Sequence, residues 1–269
     1  MIPAAGPGKR PACHAFDAPA GWQAIDFISD LHLRAGMPRS LEAWAAHLLH
    51  TPADAVFILG DLFEVWVGDD ARELPFERRC VDILARASTR RTVAFMAGNR
   101  DFLLGHAMCE ASGLIALPDP TLLTAWNQRL LLSHGDALCL ADTEYQRFRT
   151  LVRSADWQAD FLARPLVERH RLAAEIRQRS EARRRAHGHD SELWADVDGP
   201  AALAWLDAVQ ASTLVHGHTH RPGCHLLGPG SERQVLSDWD LDDPAAPRAE
   251  VLRLTPAGLQ RVAPTGSAG

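Results

Sequence analysis

An α/β fold is expected from this chain, and three observations carry the expectation. Short apolar runs alternate with segments of helical spacing, Gly, Asp, His or Asn closes each run, and the composition suits a packed core. The 269 residues are 46% hydrophobic and 23% charged, which matches a folded globular chain and excludes a disordered, collagenous or coiled-coil one. Division by a typical domain of about 150 residues gives fewer than two units, so one large core with an insertion is the simplest organisation.

Taken in order, residues 1–21 are dominated by Pro, Gly and Ala with little to bury, which predicts an unstructured N-terminal arm ahead of a main domain over 22–263. Ala24-Ile25-Asp26-Phe27-Ile28, ending in Ser29-Asp30, and Ala55-Val56-Phe57-Ile58-Leu59, ending in Gly60-Asp61, are expected to be buried strands. Between them Leu41, Trp44, Ala45, Leu48 and Leu49 recur at helical spacing. The rhythm repeats: 76–87 is helix-like, Thr92–Met96 strand-like before Ala97-Gly98-Asn99, and 103–112 helix-like. Leu130-Leu131-Leu132 leads as a strand into Ser133-His134-Gly135-Asp136. Residues 140–187 hold no strand-like run and are rich in Arg, Ala, Gln, Glu and Leu, so a helical insertion is expected, bounded at about 140–198. Ala201–Val209 follows as a helix, Thr213-Leu214-Val215 as a strand ending in His216-Gly217-His218, and Val235-Leu236 and Ala249–Leu254 as late strands. The tail over 264–269 is expected to fray.

Each of five apolar runs is followed by polar residues: Asp30-Leu31-His32, Gly60-Asp61, Gly98-Asn99, His134-Gly135-Asp136 and Gly217-His218-Thr219-His220. In open α/β sheets, sites form where loops converge beyond the carboxyl ends of strands. Singly, most of these have ordinary readings: Asp30 as a cap, Gly60-Asp61 as turn chemistry, Asn99 as a left-handed residue. Jointly they supply two carboxylates, one amide and four imidazoles: Asp30, Asp61, Asn99, His32, His134, His218 and His220. Such an oxygen and nitrogen set without thiolates suits manganese, iron or zinc. Seven ligands exceed one ion and fit two sharing a carboxylate, an arrangement suited to phosphoester hydrolysis. Two carboxylates cancel half of the four positive charges of a dication pair, favouring an anionic substrate.

The ordered set Asp-x-His, Gly-Asp, Gly-Asn, His and Gly-His-x-His, over about residues 28–220, resembles the calcineurin-like metallophosphoesterases. That resemblance implies an αββα two-sheet sandwich with a helical lid insertion. It also implies two divalent ions, for which the ligand chemistry makes Mn²⁺ the first choice. Asp30, His32, Asp61 and His220 would hold one ion and Asp61, Asn99, His134 and His218 the other. FISDLHL, ILGDLFEVWVGDD, GNRDFLLG, SHGDALC and HGHTHRP further resemble the branch of the family that hydrolyses UDP-2,3-diacylglucosamine to UMP and the 1-phosphate lipid X for lipid A in Gram-negative bacteria. A hydroxide bridging the ions would attack the phosphorus next to uridine, with Asp61, Asn99, Arg100 and His134 as catalytic residues. Where most members carry His after Gly-Asn, this chain has Arg100. Arginine donates no proton near neutrality, but it can clamp a diphosphate. Asn99, Arg100, Asp142, Ser180 and His218 match substrate-contacting positions, whereas Arg184 and His187 stand where relatives carry Asn and Lys.

In the insertion Trp157, Phe161, Leu162, Pro165, Leu166 and Val167 suit either an acyl groove or docking on the main core, and Arg177, Arg179 and Arg183–Arg185 form a basic patch. The resemblance implies a lipid-linked UDP-sugar substrate, peripheral contact with the anionic cytoplasmic face of the inner membrane, and no obligate protein partner. Net charge is 28 − 34 = −6, which argues against a nucleic-acid partner. Five scattered cysteines without a Cys-x-x-Cys pair suggest no disulfide framework. No run reaches the ~18 apolar residues of a membrane span, and no secretory leader is read at the start. The competing readings are a metallophosphoesterase for another nucleotide or phosphodiester, and a non-catalytic scaffold.

Overall fold

In a computed structural model, residues 12–187 and 196–266 are described, with the backbone alone for 181 and 183–187. Expectations for 1–11, 188–195 and 267–269, and for the side chains of Arg183, Arg184, Arg185 and His187, lie outside the described residues. Two six-stranded sheets stack face to face with helices outside each. In the first, β2 (Ile25–Ile28), β3 (Ala55–Leu59), β4 (Thr92–Met96) and β5 (Ile115–Leu117) run parallel. There β11 (Val251–Thr255) lies antiparallel to β2, followed by β12 (Gly258–Val262). The second has the order β1 (His14–Asp17), β6 (Thr121–Ala125), β7 (Gln128–Ser133), β8 (Thr213–His216), β10 (Ser231–Val235) and β9 (Gly223–Gly228).

Strand periodicity explains the layering. Ile25, Phe27, Ala55, Phe57 and Leu59 face Leu123, Leu130, Leu132 and Val215 between the sheets. Phe27 and Phe57, opposite each other in the parallel register, meet edge to face at 5.7 Å. The intervening Ile28, Val56, Ile58, Val93 and Phe95 point outward, to helices α1 (Pro38–His50), α2 (Pro75–Ser88) and α3 (His106–Ser112). Leu131 and Leu214 do the same for α7 (Gly199–Val209) on the other side. Proline opens α1 and α2, where its missing N–H costs no hydrogen bond. The Arg39 and Ser40 N–H groups of α1 are taken by Asp242, 202 or more residues away, at 3.0 and 2.9 Å.

The expected insertion is helical: α4 (Thr143–Val152), α5 (Ala155–Leu162) and α6 (Leu166–His187). The N-terminal arm differs from expectation. Residues 14–17 pair in parallel with 121–124, and Phe16 packs against Phe57 at 5.2 Å. One half-buried aromatic and a free edge on β6 outweigh the poor local propensity of this stretch. In the tail, Thr265 N donates to His47 Nδ1 at 3.1 Å.

One buried polar network braces this framework. Asp26, fully buried on β2, accepts from Arg253 Nε and Nη2 at 2.7 and 2.9 Å and from Thr51 Oγ1 at 2.6 Å. Burial opposes its charge, but Arg253, His47 and Thr51 bring its pKa down to about 2. A carboxyl depressed in the folded state stabilises fully above its unfolded value near 4, and that contribution disappears as pH falls to the folded value. Asp26 is therefore expected to give about 2 kcal/mol at neutral pH that vanishes between roughly pH 4 and 2. Urea denaturation of the wild type and Asp26→Asn at pH 6 and pH 2.5 checks this, because the gap between them should close at the acid end.

Candidate active site

The carboxyl ends of β2, β3, β4, β7 and β8 open on one rim, and every residue of the expected ligand set lies in the loops leaving them. Five of those residues have left-handed backbones: Asp30 (φ 53), His32 (47), Asp61 (54), His218 (65) and His220 (51). Each such conformation costs of order 1–3 kcal/mol for a non-glycine residue and persists only where the surroundings impose it. For Asp30, His32 and Asp61 a backbone ladder does so, with Asp30 N to Gly60 O at 3.0 Å, His32 N to Asp61 O at 3.0 Å and Leu33 N to Leu62 O at 2.9 Å. Asp101, fully buried, ties the next loop to this pair by accepting from Gly98 N at 2.8 Å and Leu62 N at 2.7 Å.

The seven side chains converge as two halves. In one, His32 Nε2 lies 3.3 Å from His220 Nε2 and 4.0 Å from both Asp30 Oδ1 and Asp61 Oδ2, while His220 Nε2 lies 3.4 Å from Asp30 Oδ1. In the other, Asn99 Oδ1 is 3.0 Å from His134 Nε2 and 2.7 Å from His218 Nδ1, and His134 Nε2 is 3.7 Å from Asp61 Oδ1. Asp61 thus turns one oxygen to each half. Asp30 Oδ2 is occupied by Ser29 Oγ at 2.5 Å and His218 N at 2.9 Å, which leaves Oδ1 facing the cage.

Without a cation this arrangement is electrostatically strained. Burial, with Asp101 and Asp30 nearby, raises the Asp61 pKa to about 7. Burial lowers His32 and His218 to about 3. His134 and His220 go the other way, to about 9 and about 10: burial opposes their charge, but Asp61 and Asp30 dominate at His134, and Asp238 and Asp30 at His220. Asp30, despite burial, is held below the usual carboxylate range by His220 and its imidazole neighbours. Imidazole nitrogens aimed at one another among buried carboxylates are the donor set a divalent ion satisfies.

Several participants have no role assigned from the sequence. Glu64 lies 3.5 Å from His32 Nδ1, Asp238 lies 3.4 Å from His220 Nδ1, and the Leu59 carbonyl lies 2.9 Å from His134 Nδ1. From α4, Tyr145 stacks on the His218 ring at 5.9 Å and donates to Asp136 Oδ2 at 2.6 Å, which Arg149 Nε also reaches at 2.8 Å. The loop after β7 and helix α4 therefore meet in one buried anchor between insertion and rim.

Arg100 N donates to Asp61 Oδ1 at 2.8 Å, and Arg100 Nε is buried with no hydrogen-bond partner among the described residues. Asp142 caps α4, accepting from Tyr145 N at 2.9 Å, and Ser180 is half-buried on α6. Within the insertion Trp157, Phe161 and Leu166 pack on the main core, as docking residues do. Leu151, Leu162 and Val167 remain exposed, Val167 at 81%. Arg169, 3% exposed, reaches the Val67 carbonyl and Asp70, riveting α6 to the loop after β3.

Residues 24–222 match the family model of the calcineurin-like phosphoesterases. The chain is 44% identical over 239 residues to a UDP-2,3-diacylglucosamine hydrolase of Ralstonia nicotianae, covering 86% of this chain and 88% of that one. Relatives with the same description in Aromatoleum aromaticum and Bordetella pertussis are 44% identical over 225 residues and 41% over 240, covering 81% and 86% of this chain and 90% and 92% of theirs.

Proposed function

This chain belongs to the calcineurin-like phosphoesterase family, and from that premise we propose that it hydrolyses the diphosphate of UDP-2,3-diacylglucosamine. The products are UMP and the acylated sugar 1-phosphate, in the lipid A pathway. The observation that carries this reading is Asp61, one oxygen toward each half of a cage whose rim bears an arginine with an unpartnered buried Nε. Asp30, His32, Asp61 and His220 hold one divalent ion, and Asp61, Asn99, His134 and His218 a second. Mixed oxygen and imidazole ligation without thiolates accommodates Mn²⁺, the ion we propose. When bound, the pair supplies an activated water and screens the negative charge of the phosphoryl group.

The chain's own residues do the rest. Arg100 steadies the diphosphate with a guanidinium whose fork matches two phosphate oxygens. Asn99 and His134, held together by the Oδ1 to Nε2 contact, border the reacting phosphorus. The leaving group is a phosphate monoester, which departs without a protonated side chain, so arginine in the usual histidine position costs nothing here. Asp142 and Ser180 face the sugar, and the insertion covers the acyl chains. No described helix is long and apolar enough to cross a membrane. The exposed Leu151, Leu162 and Val167 give the insertion an apolar surface for peripheral contact with a bilayer.

Product analysis by mass spectrometry tests the reaction. UMP and the acylated sugar 1-phosphate should appear together only with metal and vanish with chelator. Equal turnover of a soluble, unacylated UDP-sugar would instead favour a general nucleotide phosphoesterase.

A further inference from the structure

The two halves of the cage differ in what stands behind their imidazoles. In the Asp30 half, each imidazole has a carboxylate behind it: Asp238 Oδ2 lies 3.4 Å from His220 Nδ1, and Glu64 Oε2 lies 3.5 Å from His32 Nδ1 without a hydrogen bond between them. Both acids are nearly buried, at 7% and 4% exposure, and both are held by arginine. Arg248 grips Asp238 through Nε and Nη2 at 2.7 and 2.5 Å, and Arg177 reaches Glu64 Oε1 at 2.7 Å. In the other half, His134 Nδ1 meets the neutral Leu59 carbonyl at 2.9 Å, and the oxygen ligand beside it is the amide of Asn99. Asp136, the acid nearest that half, is already engaged by Tyr145, Arg149 and Arg153.

We propose that Glu64 and Asp238 are positioning residues that make the Asp30–His32–His220 half the tighter of two unequal metal subsites. The inference rests on the metal-binding reading given above. Two effects act together. A carboxylate behind the outer nitrogen orients the ring and strengthens the inner nitrogen as a ligand, through a hydrogen bond at His220 and through charge alone at His32. The same half also has the greater negative charge, with Asp30 wholly its own, and charge count tunes the affinity of a site for a dication. Asp61 is shared and does not discriminate. Order of filling follows: the first equivalent enters the Asp30 half and the second completes the pair.

The test is direct Mn²⁺ binding to full-length protein stripped with chelator, by calorimetry and by electron paramagnetic resonance of the ion, at pH 8 to limit proton competition for imidazole. The wild type should bind in two steps at least about tenfold apart, a mononuclear signal at one equivalent giving way to a spin-coupled pair at two. Asp238→Asn and Glu64→Gln should each weaken the tighter step by about 10- to 100-fold while moving the weaker one by less than about threefold. Two equal steps in the wild type, or variants that shift neither step or only the weaker, would overturn the inference. Circular dichroism melts check folding, and if Asp238→Asn does not fold, Glu64→Gln carries the same test on the other imidazole. Normal two-step binding with no turnover of the acylated UDP-sugar would count against the proposed function alone. Turnover with unshifted binding in the variants would count against this inference alone.

Discussion

Replacing Asp61 with alanine is expected to lower metal-dependent turnover by on the order of 1,000-fold or more, and to raise the melting temperature of the metal-free protein. Both effects come from one geometry. The Asp61 oxygens are the connection between the halves, at 4.0 Å from His32 Nε2 and 3.7 Å from His134 Nε2, so alanine removes a ligand from each at once. The same carboxylate is 2% exposed, and burial raises its pKa to about 7. An acid whose folded pKa lies above its unfolded value destabilises the fold once pH climbs past the unfolded value, so the gain in the variant should be absent at pH 4 and grow toward pH 8. Scanning calorimetry of chelated protein at those two pH values, beside a turnover assay in excess Mn²⁺, reads both parts. Unimpaired turnover would remove the bridging role.

Gly98→Ala should be nearly as damaging although it changes no ligand. A Cβ at Gly98 would fall against the carboxylate and backbone nitrogen of Asp61 and 2.9 Å from Asp61 Cγ. Neither neighbour can yield, since Asp61 is locked by its backbone ladder and by Arg100 N. Overpacking at such a point costs about 1–3 kcal/mol. Displacing Asp61 by even half an ångström separates its oxygens from their partners, so we expect turnover to fall by on the order of 100-fold. Mn²⁺ titration should show both binding steps weakened, whereas a variant that merely destabilised the fold would bind normally below its melting point.

Much of this architecture could be read before the structure was in hand, for a physical reason. A buried parallel strand is mostly apolar along its length, so Asp30, Asp61, Asn99 and His218 stand out by falling just beyond the apolar runs. Their meeting follows from topology, because parallel strands of both sheets end on one rim. Less visible were elements whose stability comes from distant partners. β1 lies in a Pro- and Ala-rich stretch and β5 has three residues, so neither carries a pattern long enough to register. Glu64, between Phe63 and Val65, looks like an ordinary charged residue, and its approach to His32 comes from two loops running side by side. Asp238 reaches His220 only through the return of the chain after β10. Gly98 could be taken for turn chemistry, when its use is to let another loop come close.

The cage is assembled across a seam. Asp30, His32, Asp61 and Asn99 follow strands of one sheet, while His134, His218 and His220 follow strands of the other, and what joins the two is the apolar interleaf of Phe27, Phe57, Leu130 and Leu132. A slight shear of one layer over its neighbour would part the donors long before the chain melted. Alignment of the chemistry is thus delegated to greasy side chains that never meet a substrate, and trimming that filling would blunt the enzyme while leaving it folded.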